Sequence, residues 1–568
     1  MLRFLALSIL PGVIFLLLDP AADRTPIYVD QTLPFAITDG SYSTANRDSS
    51  GSEGNAFPTI KEAILAMEVG DTIILRGGTY QEGHIRIPTR LNGSAWSEGN
   101  FNTLMSFPGE WAVLDGQNGG GTGGIDGQTV GEDKNSECVI GMTVSDKSGA
   151  FDLKYWKFER LEIMNGASAD GKYAAGFSGN GGPFIFRNCY IHDNLTTTDI
   201  GFNNPGGLRG EVWHDCIVEY CYFARNGALN SNNHNLAHIN IYSDYKPNQI
   251  AENGFVDKNN HLARNEFRYN LFENSAVGIK YKQDQFFTGR NPAGGHPYSD
   301  EYKYYGDKIH HNIFIQTLAF GTNGRQDFIQ IYNNIFFGNE LFAIGIGESD
   351  TRSIYKAITF NNTIISPTHK GIGRVHHGWY SFMPGEYFGY DYNNILVNVL
   401  DGWNWCDISV DERPTFFDDP DYSNYIGHTN YFYDPGTGYN DPNGTQIYWI
   451  ADQRYTKSEF TALYPGAVNY WSEDDPGNSL FKGSTGADRF KTLPGHMVEG
   501  TTPIGSAGAG CPHPYLAGVH LPSYLGATNP NGTDSGLGWD PIAQNPDDSG
   551  WVDYVLYVVG DLPAHFSE

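Results

Sequence analysis

Two lysines and an arginine stand out in this sequence because of their neighbours. Lys280 and Lys282 alternate with apolar residues in GIKYKQD (278–284), and Arg325 follows in AFGTNGRQD (319–327). HINIYS (238–243) precedes them, and AIGIGES (343–349) and GIGRVHH (371–377) come after. Successive side chains of a strand point to opposite faces. Ile239, Ile241, Ile279, Tyr281, Phe320, Ile344, Ile346 and Ile372 therefore read as the inward set. The outward set is Asn240 and Tyr242, then Lys280 and Lys282, then Gly321 and Asn323 with Arg325 just beyond, then Gly345 and Gly347, then Gly371 and Gly373. Stacked, these strands offer an exposed cationic step beside a glycine floor on which a chain can lie against backbone.

A positive groove without a metal-ligand motif suits β-elimination from a uronate polymer. That reaction needs the carboxylate next to C5 neutralised and a base for the C5 proton. Lys280 is the candidate base, with Lys282 and Arg325 lowering its proton affinity by like-charge repulsion and holding the carboxylate. Asn240, Tyr242, Asn323, His376, His377 and Trp379 are the candidate substrate-binding residues. The insertions 285–306 and 376–390 would wall the groove, the second with rings that can stack on sugar faces. A glycoside hydrolase is the alternative, with carboxylates drawn from Asp284, Asp327, Glu348 and Asp350. The GHG and RIK motifs of polygalacturonase-type enzymes are absent. A glycan-binding surface protein without catalysis is the third reading.

The elements that must position these residues announce themselves as a repeat. RYNLFEN (268–274), HHNIFIQ (310–316), YNNIFFGN (332–339) and FNNTIIS (360–366) share an asparagine at 270, 312, 334 and 362, and YNNILVN (392–398) adds Asn394. The shortest interval, from Asn312 to Asn334, gives the bare unit of a solenoid, and the longer ones carry insertions. With 69 glycines, 14% aromatic and only 18% charged residues, the composition suits short strands and tight turns. The expectation is an all-β, single-stranded parallel β-helix of about ten coils, each adding about 4.8 Å of height. The repeated asparagines should tolerate left-handed backbone and form a ladder inside the turns. Cys189 and Cys221 take the same place in earlier copies, where stacked buried thiols are expected. The six cysteines permit disulfides, but their pairing is not legible.

Residues 1–23 have the layout of a secretory signal peptide, with Arg3, an apolar run to Leu18 and small residues at Ala21 and Ala22. From 24 to 83 the chain reads as a cap and first strands. In FPTIKEAILAMEVGDTIILRGGTY, Ile60, Ala63, Ile64 and Met67 fall on one face of a short helix that begins near Pro58 and is ended by Gly70, and Thr72–Arg76 alternates like a strand. Residues 84–403 hold the coils, and 404–568 hold further coils and a loop-rich closing segment with a short helix over 456–465.

The YVD start, the PTIKEAI helix and the GDTIILRGGTY run resemble the N-terminal cap of secreted right-handed parallel β-helix proteins of the pectate-lyase-like superfamily. NSLFKG (478–483), FKTLPG (490–495) and YLGATNP (524–530) resemble its closing segment. Within that superfamily, 270–284 followed by 312–339 is similar to the Lys-strand and Arg-strand of alginate lyase and chondroitinase-B-like polysaccharide lyases. That resemblance implies Lys280 as Brønsted base and Arg325 as acid, with Gln326 where the family has histidine.

The expected partner is an acidic polysaccharide, and the expected state is a secreted or periplasmic monomer with no membrane span after signal removal. A net charge of −29 argues against nucleic acid. It also obliges an acidic substrate to meet a local cationic patch or a bridging cation. No cofactor is required by any motif. The Asp-rich loops after residue 400 are where Ca²⁺ would be held.

Overall fold

The computed structural model describes residues 24–92, 101–117, 138–141, 152–166, 175–195, 206–211, 213, 215–227, 236–242, 265–282, 307–322, 329–338, 344–348, 357–365, 370–376, 389–397 and 401–406, and positions between 431 and 527. The strands lie almost wholly in two parallel systems, one of 12 strands and one of 22. The larger is two stacks joined at a corner, because Leu271–Lys282 and Ile313–Thr322 run through it without a break. The coils thus contribute to three sheets in turn, and their strands pair in parallel with the equivalent strands one coil away, with one antiparallel pair, Tyr448–Ile450 with Gln453–Tyr455, near the C-terminal end. In the first sheet, Ile27–Val29 and Asn55–Phe57 belong to the cap, which leaves ten described coil strands there, while the second stack has twelve described rungs, more than the ten coils expected. The architecture is a parallel β-helix.

The helix of the cap, Ile60–Ala66, buries Ile60, Ala63, Ile64 and the following Met67 against the first strands. Both its ends are held from a distance. The Glu82 carboxylate accepts from the N–H groups of Ile60 and Lys61 at 2.6 and 3.0 Å. The Arg90 guanidinium donates to the carbonyls of Ile64, Leu65 and Met67 at 2.8 to 2.9 Å. Such charges satisfy orphan backbone groups and oppose the helix dipole. Gly70, at φ 88°, lies in the turn beyond the helix rather than at its end.

The asparagine ladder is present. Asn270, Asn312 and Asn334 each donate from the backbone N–H and from Nδ2 to Oδ1 of the next rung at 3.0 to 3.1 Å. Asn362 does the same to Asn394 at 2.9 and 3.0 Å. The left-handed residue is not the ladder asparagine but the one before it: Tyr269, His311, Asn333, Asn361 and Asn393 have φ between 51° and 55°. The turn needs one residue to reverse the chain and another to fill its interior, and the two jobs fall to neighbours. Cys221 heads the ladder, its N–H donating to Asn270 Oδ1 at 2.9 Å. Cys138, Cys189, Cys216 and Cys221 are all buried free thiols.

A second, shorter ladder turns the other corner. Asn194 donates to Asn226 Oδ1 at 2.8 Å, and Asn226 Nδ2 donates to His238 Nδ1 at 3.0 Å. Inside the tube, Phe223, Phe272, Phe314 and Phe336 stack coil on coil at 4.7 to 5.0 Å. Among the described residues of the three C-terminal motifs, Leu480, Phe490 and Ala527 are buried. Phe490 and Ala527 pack on the outer face of the second sheet, with Tyr190, Tyr222, Leu271, Ile313 and Ile335. Ala527 N–H donates to Thr363 Oγ1 at 2.9 Å. The closing segment therefore reaches back along the flank of the solenoid. Thr456 and Glu459 exchange backbone-to-side-chain hydrogen bonds at 2.8 and 3.3 Å, the capping box that starts the expected short helix.

Candidate active site

The third sheet carries the residues singled out above. Ser178, Arg209, Asn240, Lys280, Gly321, Gly345, Gly373 and Asn404 are successive partners in parallel register. The flanking Phe177, Leu208, Ile239, Ile241, Ile279, Tyr281 and Ile344 lie in the hydrophobic core. Strand alternation therefore puts the row on the opposite face, away from the core. Lys282 falls in register with Tyr242 in the adjacent row.

Two corrections follow. The cationic step was expected to be exposed, yet Lys280 is 1% exposed and Asn240 is fully buried. An outward-facing position on a β-helix is not necessarily a wet one, since anything laid over the coil removes it from solvent. The glycine floor also has a different register: Gly345 pairs with Gly373, not with Gly371, and Gly347 pairs with Val375. A two-residue slip preserves every inward and outward assignment, so alternation cannot detect it. The ladder decides it, because Gly345 and Gly373 each follow their ladder asparagine, Asn334 and Asn362, at the same interval.

His376 is the last residue of the strand Lys370–His376 and pairs with Glu348. Arg325, Asn323, His377 and Trp379 lie outside the described residues, as do Asp284, Asp327, Asp350 and the Asp-rich loop at 411–422. Among the described residues no three His, Cys, Asp or Glu side chains are grouped so as to hold a metal ion.

The same row contains two residues that sequence reading missed. Arg209 is 5% exposed and Ser178 2%, and the Ser178 hydroxyl is buried with no hydrogen-bond partner. Their strands, Ala175–Ser178 and Gly206–Glu211, lack the asparagine punctuation used to align the later coils. The usable signal was the Asn194 and Asn226 ladder at the second corner.

His238 lies two residues before Asn240 but serves the corner. Burial brings its imidazole down to about 3, and its ring sits 6.0 and 5.9 Å from those of Phe223 and Phe272. On the outer face of the first sheet a separate ionic chain crosses the coils. Glu219 accepts from Arg187 at 2.6 Å and from Arg268 at 2.7 Å. Glu266 meets Arg268 at 2.9 Å and His310 at 2.8 Å, and His310 meets His311 at 2.7 Å. Burial raises the Glu266 carboxyl, but the hydrogen bond from His310 and the nearby cations outweigh it and bring it down to about 2. These groups brace the coils and lie on a different sheet from the third-sheet row.

Three parallel sheets, the internal asparagine ladder and the N-terminal capping helix together define the fold. It is a parallel β-helix closed at its N-terminal end by a helix. No protein-family model matches the chain, and no curated protein is similar to it. Solved structures are similar to it at low identity. Pectate lyase Pel9A is 13% identical, with 66% of this chain and 77% of that chain covered and a TM-score of 0.34. The PL6 family polysaccharide lyase Pedsa3628 from Pseudopedobacter saltans is 16% identical, with 72% and 90% covered and a TM-score of 0.38. The GH136 lacto-N-biosidase from Eubacterium ramulus is 10% identical, with 78% and 67% covered and a TM-score of 0.34.

Proposed function

We propose that the protein is an exported polysaccharide lyase that cleaves an acidic, uronate-containing polysaccharide by β-elimination, with Lys280 as the base. One observation carries this reading: a lysine 1% exposed on the face away from the core, in register between Asn240 and the side-chain-free Gly321. Burial disfavours a charged ammonium, which is the condition under which a lysine can accept a proton. In the reaction Lys280 removes the C5 proton, the C4–O bond breaks, a C4=C5 double bond forms, and the leaving oxygen takes a proton. Arg325 is the proposed acid and Lys282 a carboxylate holder. Asn240, Tyr242, Asn323, His376, His377 and Trp379 are proposed to bind the chain along the row. The insertions 285–306 and 376–390 are proposed as the walls of the groove. Ca²⁺ held by the Asp-rich loops is part of the proposal only if chelation alters the rate.

The test is incubation with alginate, pectate and chondroitin sulfate, following ultraviolet absorbance of unsaturated ends together with reducing ends. Both signals should rise on one of these polymers and vanish in Lys280→Ala. Reducing ends without absorbance would replace this reading with hydrolysis, and full activity in Lys280→Ala would remove Lys280 from it.

A further inference from the structure

We propose that His192 is a proton-held latch: as an imidazolium it ties Glu162 and the Asp193–Arg225 pair together across three consecutive coils, and losing its proton in alkaline solution opens the corner that leads into the third sheet.

The latch stands at the end of the second-sheet strand Tyr190–His192. Met164 and Ala224 are the register partners of His192, one coil to either side. His192 Nε2 lies 2.8 Å from Glu162 Oε1, and Nδ1 lies 2.6 Å from Asp193 Oδ2. An ionised carboxylate can only accept, so both contacts are hydrogen bonds when both ring nitrogens carry a proton. Asp193 also accepts from Arg225 Nε at 2.8 Å and Nη2 at 2.6 Å. The Tyr190 ring stacks on the imidazole with 3.8 Å between centroids, a contact that suits a cation.

The charges on the neighbouring strands favour the proton. Besides Glu162 and Asp193 they include Glu273, which accepts from the Tyr222 hydroxyl at 2.6 Å. Asp115 is the register partner of Met164 and is held by Gln81 and Asn165. The opposing cation is Arg225, whose Nη2 is 3.5 Å from His192 Nδ1. Burial pulls the imidazole down, but the hydrogen bonds and charges of Asp193 and Glu162 outweigh it and hold it above the ordinary 6.5.

Loss of the proton acts on one side of the ring. A neutral imidazole has a single N–H, so one carboxylate must then face a lone pair. Glu162 is 5% exposed and its Oε2 is buried with no hydrogen-bond partner, so the remaining N–H stays with it. Asp193 keeps Arg225, and with side chains 30% and 38% exposed that pair can exchange the ring for water. The contact that opens is therefore His192 to Asp193. It sits on the corner itself: Asn194 of the second ladder donates to the His192 carbonyl at 3.0 Å and to Asn226 Oδ1 at 2.8 Å. Asp193 N–H to the Ala224 carbonyl at 3.2 Å and Gly227 N–H to the Asn194 carbonyl at 2.9 Å join the coils there. Because the folded value is raised, the stabilisation is complete below 6.5 and is lost as pH rises through the folded value.

The experiment uses the full-length chain with nitrogen-15 histidine, the His192 signals being assigned by their loss in His192→Gln. At pH 7 both His192 ring nitrogens should be protonated, and the titration midpoint should lie above 6.5. Amide hydrogen exchange, corrected for base catalysis, is then compared below and above that midpoint. Asp193, Arg225 and Gly227 should lose about tenfold in protection relative to the ladder amides at 270–362. In His192→Gln that ratio should be the same at both pH values. If His192→Gln lowers the melting temperature, Glu162→Gln is the second variant: it keeps the ring, removes one carboxylate charge, and should move the midpoint and the opening to lower pH. A singly protonated ring at pH 7, a midpoint at or below 6.5, or a wild-type exchange ratio unchanged across the midpoint overturns the latch.

Discussion

Asn240 and Lys280 are direct partners in parallel register, both buried, on the face of the third sheet opposite the core. This pairing joins a polar amide to a candidate base one coil away, and it makes Lys280 the most informative residue to change. Lys280→Ala should lower the rate of unsaturated-product formation by at least ~100-fold, the usual scale for losing a general base. Lys280→Arg should be equally inactive, since a guanidinium keeps its proton. Far-ultraviolet circular dichroism should be unchanged in both, and an active Lys280→Arg would rule out the base role.

Asn312 sits mid-ladder, bonded to Asn270 on one side and Asn334 on the other. Its Nδ2 also donates to the carbonyls of Phe267 and His310 at 2.8 and 3.0 Å. Asn312→Ala leaves several buried backbone groups unmatched and should cost on the order of 2–4 kcal/mol. Urea denaturation of wild type and variant should show a lower midpoint; a shift below about half a kcal/mol would mean that stacking alone holds the corner.

Acid should destabilise the protein in two stages. The His238 imidazole is held neutral down to about 3, against an ordinary value of 6.5. Below 6.5 the unfolded chain gains a proton there that the folded chain refuses, so stability falls between 6.5 and about 3. Glu266 is depressed from 4.5 to about 2, so its contribution is present above 4.5 and is lost as pH falls through about 2. His238→Gln should flatten the upper stage and Glu266→Gln the lower. Stability profiles of the two variants that superimpose on wild type would contradict both assignments.

The thiols of Cys138 and Cys221 should be inert in the folded protein. Burial pushes the Cys138 thiol up to about 12, and burial with the neighbouring Cys189 pushes Cys221 well above its ordinary value. Since the thiolate is the reactive form, a thiol reagent at pH 8 should label none of Cys138, Cys189, Cys216 and Cys221 until denaturant is added. Peptide mapping of the labelled sites checks this, and rapid labelling of Cys221 in buffer would contradict it.

Removing the distant cap of the N-terminal helix should loosen that end first. Arg90→Met deletes three hydrogen bonds to the carbonyls of Ile64, Leu65 and Met67 and should cost about 1–2 kcal/mol. Hydrogen exchange should accelerate over 60–75 while the ladder amides at 270–362 stay protected. Uniform acceleration along the chain would show that the cap and the coils unfold as one unit.

Local patterns along the chain suffice to read the solenoid, the asparagine ladder, the capping helix and the inward and outward faces of the third-sheet strands. Those follow from local rules: alternation of side chains along a strand, and a turn whose interior accepts one residue type, repeated at each coil. Tertiary structure alone decided what depends on distances across the coils. It put Gly373 rather than Gly371 beside Gly345, because a two-residue slip leaves the alternation unchanged and the pairing between coils distinguishes the two registers. It brought Ser178 and Arg209 into the Lys280 row, from coils without the punctuation that aligned the others. It buried Lys280 and Asn240, because exposure depends on what lies over a strand and not on the direction its side chains point.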